Sequence, residues 1–179
     1  MIITNTNLNI DAQLVKLQPK TNKAWLGSKN ESYKKLTNQK KGKFGVVLIQ
    51  ELLQNNGYQA EMINDEGDLK YRESDSDEWT KVEVKTAGVN MDGKWNAWFN
   101  QIRPNQESWR EVWLVSVFPN HIRIYKKSRE DFVDNISIME STRKCLTHYG
   151  TDDLAGANLT DENESEWNCI YNNQQGDLL

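Results

Sequence analysis

Seven residues from Val112 to Phe118, V-W-L-V-S-V-F, carry apolar side chains on both parities of an extended chain. Successive strand residues point to opposite faces, so such a strand needs cover above and below. It reads as the central strand of a sheet. The elements around it predict an α/β domain with a central mixed sheet flanked by helices. At 179 residues the chain is long enough for one domain with a real core, and too short for two ordinary ones.

The other elements follow from periodicity. K-F-G-V-V-L-I-Q-E-L-L-Q-N-N-G, residues 43–57, is a run of good helix formers ended by Asn56-Gly57. It is apolar nearly all round and is expected to be largely buried. Short strands are expected at 58–63, 68–73 and 79–87, with S-D-S-D (74–77) as the turn between the last two. Residues 94–103, K-W-N-A-W-F-N-Q-I-R, fit strand or helix, and Pro104 ends them. H-I-R-I-Y (121–125) alternates as a strand. Ser128 with Asp131 three residues on predicts an N-cap opening a short helix. The segment after Gly150 shows little periodicity and reads as a loop-rich covering segment.

Charge is unevenly spread. The net charge is −4, yet residues 16–43 carry nine lysines against Glu31 alone, and residues 150–179 carry seven acids and no Lys or Arg. The pI near 5.3 argues against non-specific coating of DNA. A basic arm (1–42) on an acidic body still suits phosphate contacts through one face, with Lys34, Lys35, Lys40, Lys41 and Lys43 as candidates. A solvated lysine-rich segment is the other reading. Cys145 and Cys169 lack CxxC or Cys/His spacing and read as two reduced thiols in a cytoplasmic protein, with no zinc site. No signal peptide is legible, and no apolar run approaches the roughly 18 residues of a membrane span.

T-K-V-E-V-K-T-A (80–87) carries the chemistry. As a strand it puts Val82 and Val84 on one face and Lys81, Glu83 and Lys85 on the other. Setting Asp68 opposite Glu83 centres the hairpin between Asp75 and Ser76, the middle of the turn chosen on its chemistry alone. The two Cβ atoms would then be about 5 Å apart, with Lys85 on the same face. Facing carboxylates repel unless a cation lies between them, and hard oxygen ligands select Mg²⁺ or Mn²⁺. Such a set fits metal-assisted phosphodiester hydrolysis. A solvated hairpin fits it as well. Glu51 falls on a helical stripe with Phe44, Val47, Leu48 and Leu52. If buried it needs a partner such as a metal or Lys85, and otherwise it reaches solvent at the stripe's edge.

Taken in order, G-V-V-L-I-Q-E-L-L-Q-N-N-G-Y, G-D-L-K-Y and V-E-V-K-T-A resemble the PD-(D/E)XK nuclease superfamily. F-N-Q-I-R-P and V-W-L-V-S-V-F-P-N-H-I-R-I-Y are similar to many type II restriction endonucleases. The resemblance covers residues 43–126, with a looser likeness at Thr147-His148-Tyr149-Gly150. It implies a restriction-endonuclease-like core with a second helix after the sheet. It also implies Asp68 and Glu83 as metal carboxylates, Lys85 as catalytic lysine and Glu51 as accessory acid. Gly67, not Pro, precedes Asp68, which is a departure from the family's pattern.

The activity implied is Mg²⁺-dependent endonuclease cleavage of duplex DNA, with Mn²⁺ able to substitute, by a homodimer. A repair or recombination nuclease acting on branched or damaged DNA is the alternative, as is a DNA-binding module that does not cleave. Asn96, Asn100, Gln101 and Arg103 have the chemistry to read base edges or hold phosphates. Trp95, Trp98 and Phe99 are expected in the core. His121 and His148 are left out of the mechanism.

Overall fold

The computed structural model describes residues 20–64, 67–91, 93–104, 107–134 and 155–173. Lys16, Cys145 and the segment around His148 lie outside them. Two short helices, α1 (Lys20–Trp25) and α2 (Glu31–Lys34), lead into a long one, α3 (Asn38–Asn55). The basic arm is therefore helical over its described part. It is held down by two buried rings, Trp25 and Tyr33, stacked with centroids 6.2 Å apart.

Helix α3 starts five residues before the apolar run, because Thr37 caps it by accepting from the Lys40 amide. It stops at Asn56-Gly57 as expected. Gly57 has φ +87°, and the amides of Gly57 and Tyr58 return to the carbonyls of Gln54 and Leu53. The helix is less buried than its composition predicts. Only Gly45, Ile49 and Leu53, four apart, form a fully buried seam, and the other apolar side chains are half-covered.

The main sheet has six strands in the order β1 (Gln59–Met62), β2 (Leu69–Arg72), β3 (Thr80–Gly88), β5 (Glu111–Val117), β6 (Ile122–Ser128) and β8 (Asn168–Asn172). It is mixed: β3 and β5 run parallel, and the other neighbours are antiparallel. The β2–β3 register, Leu69 with Val82 and Tyr71 with Thr80, centres the hairpin between Asp75 and Ser76. Ser74 and Asp77 close that turn through Asp77 Oδ2, which accepts from the Ser74 amide at 2.7 Å and from its hydroxyl. Strand β5 is buried on both faces.

Each face of the sheet has its own core. On one side Val82, Val84, Trp113, Val115 and Val117 pack under Ile49 and Leu53 of α3. On the other, Val112 and Leu114 meet Phe99, Ala97, Leu159 and Ala157. Those last four belong to a separate two-stranded ribbon of β4 (Asn96–Ile102) and β7 (Ala155–Thr160). Within residues 94–103, Asn96–Ile102 thus form a strand. Within the described residues this face is covered by a β-ribbon and by a helical turn, α4 (129–134), capped by Ser128 as expected.

The acidic segment differs from the loop-rich reading. It supplies both β7 and β8, and a 3-10 turn at Glu164–Glu166. Glu164 is drawn onto the sheet by Arg123 (2.8 Å) and Tyr125 (2.6 Å), so part of the acidic charge is neutralised inside the fold. No helix among the described residues is long and apolar enough to cross a membrane.

Candidate active site

The site exists because β2 covers only the first part of β3. It pairs with β3 only along Thr80–Val82, while β5 accompanies β3 through Gly88. Beyond Val82 one edge of β3 is open, and a cleft of about 820 Å³ lies against it. Asp68 stands one residue before β2, where the register sets it beside Glu83. Its Oδ2 accepts from the Val84 amide at 2.9 Å, capping the open edge. Gly67 makes this entry possible. Its φ of +103° is outside the reach of proline, and an added Cβ would stand 3.3 Å from the Val82 carbonyl oxygen. The absence of a proline at this position is thus built into the backbone.

Glu83 is 8% exposed, with Val82 and Val84 buried on either side of it. Its Oε1 accepts from Lys85 Nζ at 2.6 Å. Burial raises the Glu83 pKa above the ordinary carboxylate value. Lys85 opposes that shift, Asp68 adds to it by repulsion, and Arg103 opposes it. The hairpin register, which sets Asp68 opposite Glu83, accounts for that repulsion. Asp68 and Lys85 line the cleft, and Glu83 sits behind them. Arg103, expected to touch DNA, is an exposed residue whose charge is felt at Glu83.

Glu51 does not belong to this group. It is exposed and lies about 200° around α3 from Ile49, on the side away from the sheet. The helix turns Gly45 inward because β3 leaves no room for a side chain there. A Cβ on Gly45 would stand 1.8 Å from Thr86 Oγ1. The stripe of Phe44, Val47, Leu48 and Leu52 is not the buried one. Gly45 holds this part of α3 close against the cleft, and a glycine inside the apolar run was the signal for it.

The expected nucleic-acid contacts divide. Lys41 and Lys43 line the cleft, together with Asn38 and Gln39 of the same turn, which the sequence reading missed. Lys34 lies over the Trp25 ring at 4.7 Å, its pKa lowered by burial and then by the charge of Lys41. Lys35 pairs with Glu31 at 3.2 Å. Lys40 is exposed on α3, and neither it nor Lys35 is part of the cleft wall.

Across the cleft stand Asn96, Asn100 and Gln101 of β4. A bulge puts Asn100 and Gln101 outward in succession. Phe99 and Ile102 pair with Ala157 and Ala155, so three steps on β4 match two on β7, and Gln101 takes φ 61°. The three-residue spacing of inward apolar residues in F-N-Q-I was its signature. Phe99 is buried and Trp95 partly so, but Trp98 is 49% exposed in the cleft and is not a core residue. His121 stacks on Phe118 at 4.1 Å. Burial, then Arg123, lowers its pKa, which keeps the ring neutral.

The donor set suits a small hard cation. Asp68 keeps Oδ1 without a hydrogen bond among the described residues, beside a buried carboxyl that a second positive charge would relieve. No cluster of three or more His, Cys, Asp or Glu occurs among the described residues. Two carboxylates with the remaining positions left to water and phosphate are what Mg²⁺ accepts, rather than a closed protein cage. Comparison of the chain with protein-family models, with curated protein sequences and with solved structures returns no match.

Proposed function

We propose that the protein is a Mg²⁺-dependent DNA endonuclease with a variant restriction-endonuclease-like core, acting in the cytoplasm. The observation that carries this is the meeting of Asp68, Glu83 and Lys85 at the open edge of β3. They meet beside a cleft lined by three lysines, Lys41, Lys43 and Lys85, against one carboxylate, Asp68. A solvated hairpin gives no account of a buried carboxyl with an ammonium held on it.

Asp68 and Glu83 would hold the metal, which supplies, when bound, an acidified water and neutralisation of phosphate charge. Asp68 is kept in place by the Val84 amide. Lys85 donates from the cleft wall to the attacking water or to a phosphate oxygen, stabilising charge that grows in the transition state. Lys41 and Lys43 bind flanking phosphates, and Asn100 and Gln101 reach base edges. Restriction-type cleavage of both strands requires two such centres, and hence a homodimer.

Purified protein incubated with plasmid and Mg²⁺ tests this directly. Discrete fragments are expected, with Asp68→Asn and Glu83→Gln inactive and weakened in Mn²⁺ binding by calorimetry. Structure-dependent nicking would assign a repair-type nuclease instead. DNA that is bound but untouched, or Mn²⁺ binding unchanged in both variants, would refute hydrolysis at this site.

A further inference from the structure

Among the described residues, Trp98 is the exposed aromatic side chain of the cleft, and the proposed chemistry leaves it unused. It is 49% exposed on the outer face of β4, between Asn96 and Asn100 and cross-strand from Asn158. The other exposed large apolar side chains, Leu26, Met62 and Met91, do not line the cleft. A docking patch for protein gathers apolar side chains into one area. A platform for a nucleobase needs something else, a single aromatic face with cations nearby for the backbone. Trp98 has that setting. Amides stand beside it, and Lys41 and Lys43 project from another wall of the same cleft.

We propose that Trp98 stacks an unpaired nucleobase of the strand held in the cleft. The preferred substrate is then nucleic acid with accessible bases, single-stranded or locally unpaired, over uniformly paired duplex. This rests on the hydrolysis proposed at Asp68, Glu83 and Lys85, and within that reading it favours the nuclease of branched or damaged DNA over restriction-type cleavage of paired duplex. The indole offers a π-face to any base. The lysines fix the phosphates on either side, and the bulged Gln101 lies within the same wall to meet a base edge.

The test uses the full chain in Ca²⁺, with oligonucleotides carrying 2-aminopurine in three forms: single strand, paired duplex, and duplex with the probe unpaired. Wild type should bind the first and third at least about tenfold more tightly than the second and quench their fluorescence, on the scale that one base–aromatic stack is worth. Trp98→Ala should lose that preference and the quench, Trp98→Phe should keep most of both, and duplex binding should be unchanged. Thermal melts of the variants within a few degrees of wild type show that folding is intact.

Equal binding by wild type and Trp98→Ala, or a loss shared by all three forms, overturns the proposal. Loss of self-association with nucleic-acid binding intact assigns the ring to a protein contact and overturns it as well. Cleavage is read separately in Mg²⁺. Quenching without cleavage refutes the hydrolase reading and keeps the stack, whereas cleavage with no role for Trp98 does the reverse.

Discussion

Lys85→Ala tests the site most directly, because its effect on stability depends on Glu83. Strand alternation alone makes Lys85 a cleft-surface residue, whose truncation changes stability by no more than about 0.5 kcal/mol. The structure gives a larger figure. The Lys85 side chain is 23% exposed and that of Glu83 10%, with 2.6 Å between their charged atoms. Losing a hydrogen bond between charged groups costs about 1.5–3 kcal/mol. Protonation sets a ceiling: keeping a carboxyl of ordinary pKa 4.5 protonated at pH 7 costs about 3.4 kcal/mol at 1.36 kcal/mol per unit. The expected loss at pH 7 is therefore about 1.5–3.4 kcal/mol.

Its pH dependence has a definite sign. Burial raises the folded pKa of Glu83, and Lys85 is the main influence lowering it, so the variant's folded pKa lies higher still. The folded state then binds more protons than the unfolded one above about pH 4.5, and stability falls as pH rises through that window. The deficit against wild type should grow as pH rises through the wild-type Glu83 pKa, which burial sets above 4.5, and vanish at lower pH. Urea titrations followed by tryptophan fluorescence between pH 4.5 and 8 measure this. In a Glu83→Gln background, Lys85→Ala should cost less than about 0.5 kcal/mol, and Glu83→Gln alone should not destabilise at pH 7. Cleavage by Lys85→Ala should fall at least about a hundredfold at a pH where the protein is folded. A deficit independent of pH, or one that persists without Glu83, would refute the coupling.

Gly45→Ala should destabilise by about 1–3 kcal/mol through overpacking on Thr86, read from the denaturant midpoint. Adding Thr86→Ala should recover only part of this, since the Thr86 Cβ stays 3.1 Å from the new methyl. Replacing Lys41 and Lys43 with Gln should lower the salt slope of DNA binding by about 0.7–0.9 per residue, whereas Lys35→Gln, already paired with Glu31, should leave it unchanged. Glu51→Gln should keep Mn²⁺ binding and cleavage within about twofold of wild type, because its side chain faces away from the sheet.

What the sequence showed well was local. The S-D-S-D turn and the alternation of T-K-V-E-V-K-T-A fix a register whose one-residue slip would put Val82 and Val84 on the wrong face. Asp68, Glu83 and Lys85 therefore come together as their positions require. What it missed depends on partners distant in the chain. Glu51 looked buried because α3 is apolar nearly all round, and only the close approach of Gly45 to Thr86 decides which seam turns inward. The acidic segment looked unstructured because A-G-A-N-L-T and N-C-I-Y-N are short and polar on one side. They become strands against β4 and β6. Trp98 looked like core because two of its aromatic neighbours are core, and the parity of β4 separates them.

The short pairing of β2 with β3 links these results. Had β2 continued beside β3, the amide of Val84 would pair with another strand and Asp68 would have no edge to cap. Instead a carboxylate ends the pairing, and the next residue of the same face, Glu83, is buried where an apolar side chain would stabilise the sheet more. Burying a charge costs free energy even when it is paired. Folds that carry such a local penalty tend to place it where chemistry uses it. The penalty here falls at the back of a lysine-lined cleft. A second positive charge near Glu83 would relieve it, and would relieve the repulsion from Asp68 in the same step. That is the physical case for treating this strand as the wall of a metal-dependent site.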